Sequence, residues 1–536
     1  MSPIIPDGSG VTEYDDRSYG SFSDDAPWQV IPSQMRWKVG LDTVRSVVSR
    51  QVPDLIRKRR LPPGIRVVRV VWELGKAVAI WSLTARREGG STSKADISKR
   101  LRVAAETLGP TYIKLGQIIS SGEGIFPDEL VSEFKRCRDQ VPPESFEVVR
   151  AVLEQDLGQS LEDAFAEFDR EPLAAASIAQ VHVARLHSGQ EVVVKVQRPS
   201  VAKFVHQDLR VMAWLAPFLI GRIRIAALAN PPALVEVFAQ TISEELDFRL
   251  EAENLVDVAH SFAQLDQRGY VVPRPHPTLV TPRVLVMERL SGFSFDDIDG
   301  IAAAGIDTHE IIRTGMIGFM EGAMIHGIFH GDLHGGNLFV MSDGRTALFD
   351  FGITARMSEF HRRAFLKLLI SGTTNDPIGQ LGALRDLGAL PPDTDLEAVV
   401  KDLGLDGPPV DPTTMSPDVL VAELKRVMKL LLGYGARMPK ELMLFVKNMV
   451  FLDGAIATLA PEIDLLAEVA HIAMHMAKTH GVQIADDIDF DGENYAVHMD
   501  GVKDSLGLDR GIDTLTYRDL QDRRELIKKR LRQRSA

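Results

Sequence analysis

The feature that most constrains the fold of this chain is a set of polar residues in two short segments. HGDLHGGNLFV contains Asp332 and Asn337 with four residues between them, and Asp350 of the DFG sequence follows Asn337 after thirteen positions. Apolar residues between the two segments predict a strand. Carboxylate and carboxamide oxygens are ligands that divalent cations such as Mg²⁺ prefer. A fold that uses them together must hold both segments beside one cleft.

An upstream lysine extends this pattern. Lys195 lies in EVVVKVQRP, which has the apolar alternation of a β-strand. A buried lysine requires an anionic partner, and Glu251 in the following predicted helix is the candidate. The alternative is an edge-strand lysine that points to water. The whole pattern predicts an ATP site, with Asp332 as the catalytic carboxylate, Lys195 on the phosphates, and Asn337 and Asp350 on Mg²⁺.

Two histidines flank Asp332 and raise the alternative of a zinc site. Zinc sites combine histidine with cysteine or carboxylate ligands, and no cysteine lies near His330 and His334. Zinc would also leave Asn337 and Asp350 without a role. We therefore interpret His330 as a structural residue of the loop and expect His334 near the phosphates.

The order of predicted elements indicates an α+β chain with two lobes. Short β-rich pieces begin near Ser160, and Ser188-Gly189 marks a turn of an antiparallel meander. Long helices follow to about His480. A small β lobe before a larger helical lobe is the order of a protein-kinase-like fold. The predicted units are a disordered lead (1–35), a basic helical extension (36–158), the β lobe (159–292), the helical lobe (293–480) and a polar tail (481–536).

The charge distribution restricts the partners of the chain. A net charge of −13 argues against nucleic-acid binding, although thirteen lysines and arginines lie between Arg57 and Arg102 against three acidic residues. This amphipathic stretch also contains Trp72 and Trp81. It has two interpretations, which are a helix on an anionic membrane surface and a basic helix packed on the rest of the protein.

Cysteine usage and the absence of export signals predict the location. The single cysteine, Cys137, excludes a disulfide framework and is interpreted as a small buried residue, which agrees with a reducing cytosolic setting. No secretory signal is recognisable, and no apolar run reaches the roughly 20 residues of a membrane span. We expect a cytoplasmic protein, and peripheral attachment of the basic segment to the inner face of the cell membrane stays open.

Further motifs give the chain a resemblance to a known family. LGPTYIKLGQIIS contains a KxGQ motif at Lys114, Gly116 and Gln117, and PLAAASIAQVH stands where ordinary kinases have a glycine-rich phosphate loop. From about residue 96 to residue 352 the chain resembles the UbiB/AarF family of atypical kinase-like proteins. The matching positions are the alanine-rich loop of Ala174, Ala175, Ala176 and Ser177, the ExD motif of Glu245 and Asp247, and the lysine-pairing Glu251. Met287 and Glu288, in the predicted strand RVLVMERLSG, are further candidate nucleotide contacts.

The resemblance implies a nucleotide site covered by the N-terminal helices, with Lys114 reaching into it and paired with Glu245 or Asp247. Such a cover would exclude protein substrates and implies an Mg²⁺-dependent ATPase, or an ATP-using lipid or small-molecule kinase, in isoprenoid quinone or lipid metabolism. Lys114 is then catalytic, and Gln117, Glu245 and Asp247 are regulatory.

Two other functions stay open. One is a phosphotransferase of the aminoglycoside or choline kinase type, because that group shares the HGDLHxxN sequence; the KxGQ helix and the alanine loop count against it. The other is a nucleotide-binding scaffold that regulates partner enzymes without turnover.

Overall fold

The computed structural model describes residues 19–532 except 58–59, 85, 87–89, 121–125, 137–141, 200, 220–230, 375, 408–414, 417–418, 420–422, 424–425, 428–429, 432, 489–501, 504–507 and 509–510. Cys137, which was predicted to be buried, lies outside the described residues. The same is true of the first eighteen residues of the predicted lead. The described chain has an antiparallel β lobe and a larger helical lobe, preceded by helices. The predicted α+β, protein-kinase-like fold is confirmed.

Helices form the N-terminal extension. After 3₁₀ turns at Pro32–Gln34 and Arg36–Lys38 come α1 (Leu41–Leu55), α2 (Arg66–Thr84), α3 (Gly90–Leu108), α4 (Pro110–Ser120) and α5 (Asp128–Phe134). α3 contacts α2, α4 and α5. Gly109 between α3 and α4 has φ +104°, a conformation that favours glycine. The sharp turn at this glycine brings α4, with its KxGQ motif, back along α3.

The predicted basic helix is α2, and one side of it packs on the protein. Val67 and Val70 are buried, and α2 contacts α3 and α8 (Val201–Leu219). Arg66 donates to both carboxylate oxygens of Asp208 in α8, at 2.7 and 3.1 Å. This side of α2 is therefore a basic helix packed on the rest of the protein, which is one of the two interpretations of the sequence. Contact of its other side with a membrane stays a prediction.

The small lobe contains one antiparallel sheet in the order β1-β3-β4-β7-β6, with β2 beside β3. The elements of this lobe, in chain order, are α6 (Phe146–Leu157), α7 (Leu161–Ala164), β1 (Glu167–Phe168), β2 (Ala174–Ala175), β3 (Ala179–Arg185), β4 (Glu191–Gln197), α8, α9 (Pro231–Glu244), α10 (Phe248–Gln264), β6 (Pro275–Val280) and β7 (Val284–Glu288). β5 (Tyr270–Val271) lies between α10 and β6 in the chain but pairs in parallel with residues 346–347 of the large lobe. The β3–β4 hairpin turns at Gly189, which has φ +93°. Because β4 lies between β3 and β7, the edge-strand alternative for Lys195 is wrong.

The large lobe carries the remaining elements. They are β8 (Phe293–Ser294), α11 (Ile298–Ala303), α12 (Thr308–Glu321), a π-helical turn (Gly322–His326), β9 (Ile328–His330), a 3₁₀ turn (Gly335–Asn337), β10 (Leu338–Val340), β11 (Thr346–Leu348), β12 (Thr354–Arg356), α13 (Glu359–Thr373), α14 (Pro377–Asp386), α15 (Leu396–Leu403), α16 (Lys440–Leu459), α17 (Leu465–Ile488) and α18 (Tyr517–Arg532). β9 pairs antiparallel with β12, with His330 opposite Thr354. This pairing brings the segment after β9 next to the segment before β12.

The predicted disordered lead is wrong for residues 19–35. Phe22 is buried, and the backbone N–H of Ser21 donates to the carbonyl of Ala259 in α10 at 2.9 Å. The side chain of Ser23 contacts the buried Glu288. A sequence rich in glycine, serine and aspartate can still be ordered when neighbouring elements satisfy its backbone groups and bury its few apolar side chains.

The predicted polar tail is also wrong in part. α17 continues to Ile488, beyond the predicted boundary at residue 480, and α18 contacts α16. Tyr517 at the start of α18 is only 2% exposed, and its N–H donates to the carbonyl of Ile463 at 3.2 Å. The many charges of α18 concealed the apolar residues that fix its first turn on the lobe.

Candidate active site

Lys195 and Glu251 form a buried ion pair on the small-lobe side of a cavity. Lys195 Nζ lies 2.8 and 2.9 Å from the two carboxylate oxygens of Glu251 in the first turn of α10. The same Nζ lies 3.0 Å from Asp350 Oδ1. Burial opposes the charged form of Lys195, but the carboxylates of Asp350 and Glu251 raise its pKa overall. A charged amine is therefore held in place beside the cavity.

Asp350 reaches the cavity through a left-handed backbone conformation, with φ +56°. Such a conformation in a non-glycine residue costs roughly 1–3 kcal/mol and is frequent at functional sites. Partial burial would raise the pKa of Asp350, but Lys195 and Lys114 lower it overall. Its side chain is 45% exposed. At Gly352 an added Cβ would lie 3.3 Å from Asp350 Oδ1 and from Glu245 Cγ, so glycine permits this close packing.

Asp332 and Asn337 are fixed in the loop after β9. Asn337 Nδ2 donates to the backbone carbonyl of Asp332 at 3.0 Å, which leaves the Asn337 carboxamide oxygen available as a ligand. The carboxylate of Asp332 forms an ion pair with Lys447 in α16. Burial would raise the pKa of Asp332, but Lys447 and Lys114 lower it overall. Asp332 is therefore an ionised hydrogen-bond acceptor.

His330 holds this loop, as the sequence predicted. Its Nδ1 accepts the N–H of Asp332 at 3.0 Å, so Nε2 is the protonated nitrogen that donates to the carbonyl of Phe349 at 2.9 Å. Burial lowers the pKa of His330, which favours this neutral form. Both ring nitrogens are occupied, so the alternative zinc site with His334 lacks a ligand. His334 lines the cavity and accepts the N–H of Gly336 at 3.1 Å.

Lys114 enters the cavity from α4 of the extension. Its Nζ lies 3.1 Å from Glu245 Oε1, and the two side chains form an ion pair. The angles at this oxygen do not meet the geometry of a hydrogen bond. Of the two predicted partners, Glu245 is therefore the one in contact. Asp247 instead caps α10 through the N–H of Arg249 and pairs with the Arg249 guanidinium at 2.6 Å. The three residues predicted to be regulatory therefore lie in two places. Glu245 and Gln117 line the cavity, whereas Asp247 supports the start of α10.

Only part of the alanine-rich loop that was predicted to contact the nucleotide lines the cavity. Ala176 and Ser177 line it, whereas Ala174 and Ala175 form β2 and pair with β3. Met287 and Glu288 at the end of β7 are not among the described residues that line the cavity. The Glu288 carboxylate instead binds the fully buried Arg274 at 3.2 Å. A local sequence pattern could not show that this carboxylate faces away from the site, because its partner lies on another segment.

The cavity has a volume of ≈ 1420 Å³ and lies between residues of the two lobes and of α4. The predicted site residues that line it are Lys114, Gln117, Ala176, Ser177, Lys195, Glu245, Glu251, Asp332, Asn337 and Asp350. Asp350 and Asn337 offer carboxylate and carboxamide oxygens, the ligand type that Mg²⁺ prefers. Lys195 stands beside them as a cation for phosphate. The residues present therefore fit an Mg²⁺-bound nucleotide.

α16 also contributes to the site, and no local motif in the sequence predicted this. Asn448 is fully buried, donates to the carbonyl of His330 and accepts the N–H of Leu333 at 3.1 Å. Its neighbour Lys447 pairs with Asp332. The available signal was a lysine and an asparagine inside an apolar helix. By length and composition α16 could cross a membrane, but core helices meet the same criteria. α16 also contacts the loop after β9 through Asn448 and Lys447.

The fold and this site together define a kinase-like, ATP-using protein. The ABC1 atypical kinase-like domain matches residues 136–379. An uncharacterised protein of Mycobacterium tuberculosis is 34% identical over 429 residues, which cover 79% of this chain and 86% of the relative. An uncharacterised chloroplastic aarF domain-containing protein kinase of Arabidopsis thaliana is 32% identical over 396 residues, 69% of this chain and 73% of the relative.

A third relative is the chloroplastic protein named ACTIVITY OF BC1 COMPLEX KINASE 1, also from Arabidopsis thaliana. It is 32% identical over 413 residues, which cover 76% of this chain and 59% of the relative. The chain belongs to the ABC1 family of atypical kinase-like proteins, which is the UbiB/AarF family that its motifs resemble.

Proposed function

We propose that this protein is an Mg²⁺-dependent enzyme that uses ATP, either as an ATPase or as a kinase of a lipid or other small molecule. The observation that carries the proposal is the convergence of Lys195, Asp332, Asn337 and Asp350 on one cavity. Phosphoryl transfer requires positioning and charge stabilisation more than covalent chemistry. These four side chains supply both.

Each side chain has a distinct role in this proposal. Lys195, held by Glu251, binds the α- and β-phosphates as a fixed cation. Asn337 and Asp350 would hold Mg²⁺, which when bound neutralises charge on the phosphates. Because its pKa is lowered, Asp332 acts as a hydrogen-bond acceptor that orients water or a substrate hydroxyl, rather than as a strong base.

The shape of the site supports a small substrate in place of a protein. α4 brings Lys114 and Gln117 to the cavity wall, so the extension reduces the room that a protein substrate would need. The cavity also exceeds the roughly 300–1,000 Å³ of ordinary ligand pockets. Its additional wall includes the apolar Val450 and Phe451 of α16. This wall suits a substrate with an apolar body, such as a lipid or an isoprenoid quinone precursor.

The extension also supports peripheral contact with the inner face of the cell membrane. On the side of α2 away from the protein, Val68 is 68%, Trp72 68% and Leu83 85% exposed. Basic residues surround this apolar side in the sequence. Apolar and basic side chains on one helix favour binding to an anionic lipid surface, where an apolar substrate would be concentrated.

ATP hydrolysis by the wild type, Asp332→Asn and Asp350→Asn tests the proposal. The assay should be run with and without anionic phospholipid vesicles and a phenol that resembles a quinone headgroup. We expect Mg²⁺-dependent turnover that either addition stimulates, and a loss of about 100-fold or more in Asp332→Asn. Equal, negligible rates in all three proteins, with Mg-nucleotide binding retained by the wild type, would identify a scaffold without turnover.

A further inference from the structure

A buried carboxylate outside the ATP site lies between two histidines. Glu321 is the last residue of α12, directly before the π-helical turn, and is 2% exposed. Its Oε1 lies 2.8 Å from Nε2 of His475 and 3.1 Å from Nε2 of His480, both in α17. None of the three residues lines the cavity of the ATP site. They therefore form a separate polar cluster inside the helical lobe.

Glu321 has no permanent cation as a partner within the described chain. The described side chains within ion-pair distance of it are His475 and His480, which carry a charge only when protonated. Arg362, the buried arginine of this region, is paired with Asp487 at 2.6 Å. A buried ionised carboxylate is costly unless a positive charge compensates it. A cation bound between the three side chains would supply that charge.

The geometry of the cluster suits a cation. The three ligand atoms all lie within 4.8 Å of one another. Zinc binds imidazole nitrogen and carboxylate oxygen at roughly 2.0–2.2 Å, which places tetrahedral ligand atoms about 3.4 Å apart. The two distances from Glu321 Oε1, 2.8 and 3.1 Å, are slightly shorter than this. A shift of about 0.5 Å by side-chain rotation would make room for such an ion.

The chemistry of the ligands indicates which cation would bind. Two imidazoles and one carboxylate form a known ligand set for Zn²⁺, with water in the fourth position. Mg²⁺ and Ca²⁺ prefer oxygen ligands, so they would compete poorly for His475 and His480. The His475 side chain is 34% exposed, which gives an ion access from solvent. The His480 side chain is 10% exposed and closes the inner side.

We propose that Glu321, His475 and His480 form a binding site for Zn²⁺ or a similar divalent transition-metal ion. The ion joins the end of α12 to α17. α12 continues through the π-helical turn into β9, which carries His330 of the catalytic loop. The site therefore stabilises the part of the helical lobe that supports this loop. It is independent of the Mg²⁺ and nucleotide proposed for the ATP site.

Calorimetric titration of the full-length, chelator-treated protein with ZnSO₄ tests this proposal, in buffer that contains excess Mg²⁺. We expect one tight site per chain in the wild type and a rise in Tm with zinc concentration. His475→Asn and His480→Asn should weaken zinc binding by more than the roughly 10–100-fold that loss of an outer-shell partner costs. His471→Asn, at an exposed position of the same helix, is the matched control and should bind zinc as the wild type does.

Two outcomes would overturn the proposal. One is a wild type that binds no zinc, and the other is equal weakening in His471→Asn and His475→Asn. If an asparagine variant fails to fold, His475→Cys decides the question, because a thiolate can replace imidazole as a zinc ligand. With Co²⁺ as the probe, His475→Cys should gain a thiolate-to-cobalt charge-transfer band. A folded His475→Cys protein without that band would also contradict the site.

Discussion

The two sides of the active-site cavity hold their lysines differently. On the small-lobe side, Lys195 Nζ contacts both oxygens of Glu251 and Oδ1 of Asp350, all within 3.0 Å. On the side of the extension, Lys114 Nζ has one close carboxylate contact, of 3.1 Å to Glu245. Both lysine side chains are 11% exposed. The lysines therefore differ in the number of carboxylates that hold them and not in burial.

If the site binds a nucleotide as proposed, this difference predicts two kinds of contact with it. Three charge-assisted contacts fix Lys195 before any ligand arrives, so the β lobe offers a cation that needs little rearrangement. Lys114 is held by one carboxylate, while Asp332 and Asp350 also raise its pKa from nearby. It can therefore exchange partners at a smaller cost. We therefore expect the β lobe to supply a rigid part of the proposed site and the extension to supply an adjustable part.

Replacement of Lys195 or Lys114 by alanine should reveal the difference between the two sides most strongly. Lys195→Ala leaves Glu251 and Asp350 without their shared cation, and breaking a buried pair in this way costs about 3–5 kcal/mol of unfolding free energy. Lys114→Ala leaves one carboxylate unpaired and should cost less. Urea denaturation measures both. We also expect Lys195→Ala to weaken Mg·ATP binding by more than about 30-fold.

The control for these variants is Lys367→Ala, an exposed position in α13. It should leave both the unfolding free energy and Mg·ATP affinity within error of the wild type. If Lys114→Ala destabilised the protein as much as Lys195→Ala does, the proposed difference between the two sides would not exist.

A third lysine, Lys447, contacts Asp332, the carboxylate proposed to be catalytic, and is not expected to touch the nucleotide. Lys447→Ala should lower kcat by roughly 10- to 100-fold, since Asp332 loses the partner that keeps it ionised and oriented. Mg·ATP affinity should change by less than about threefold, a difference below 1 kcal/mol. Single-turnover kinetics and calorimetry separate the two effects.

Lys447→Arg should restore most of the lost turnover, because arginine keeps the charge at this position. Failure of the arginine variant, together with a large loss of Mg·ATP affinity in Lys447→Ala, would place Lys447 on the nucleotide instead of on Asp332.

The smallest expected effect concerns Glu245. Glu245→Gln removes one negative charge near the phosphates and releases Lys114, so Mg·ATP should bind more tightly by about 1 kcal/mol, or about fivefold. Calorimetry can measure this change. Glu244→Gln is the matched control, since Glu244 pairs with Lys440 at 3.1 Å and does not line the cavity. Weaker binding in Glu245→Gln but not in Glu244→Gln would mean that Glu245 orients Lys114 productively.

Local motifs predicted the part of the site that comes from short segments. The spacing of Asp332, Asn337 and Asp350 was readable because β10 and β11 simply connect the two segments, and the Lys195–Glu251 pair followed from strand and helix order. Lys447 was missed because it is more than a hundred residues from Asp332 in the sequence. Such a contact depends on how distant helices pack, and local periodicity carries no information about that packing.

The predictions for the two ends of the chain were wrong for a similar reason. Composition suggested that the lead was disordered and the tail only polar. In the structure, Phe22 and Tyr517 are each 2% exposed. One apolar side chain can fix a polar segment when a complementary groove exists on the neighbouring lobe, and this groove is a tertiary property. The prediction that Glu288 contacts the nucleotide failed for the same reason, because its partner Arg274 could not be inferred from the strand that carries the glutamate.

The proposed activity depends on Asp350 and Asn337 holding Mg²⁺ against a nucleotide bound by Lys195. Calorimetric titration with ATP, in excess Mg²⁺ and in excess EDTA, tests it most directly in the wild type and in Asp350→Asn. We expect Mg²⁺ to tighten ATP binding by the wild type at least about tenfold, or 1.4 kcal/mol, and to have little effect in Asp350→Asn. Equal ATP affinity with and without Mg²⁺ in the wild type, or an unchanged Mg²⁺ effect in Asp350→Asn, would contradict the account.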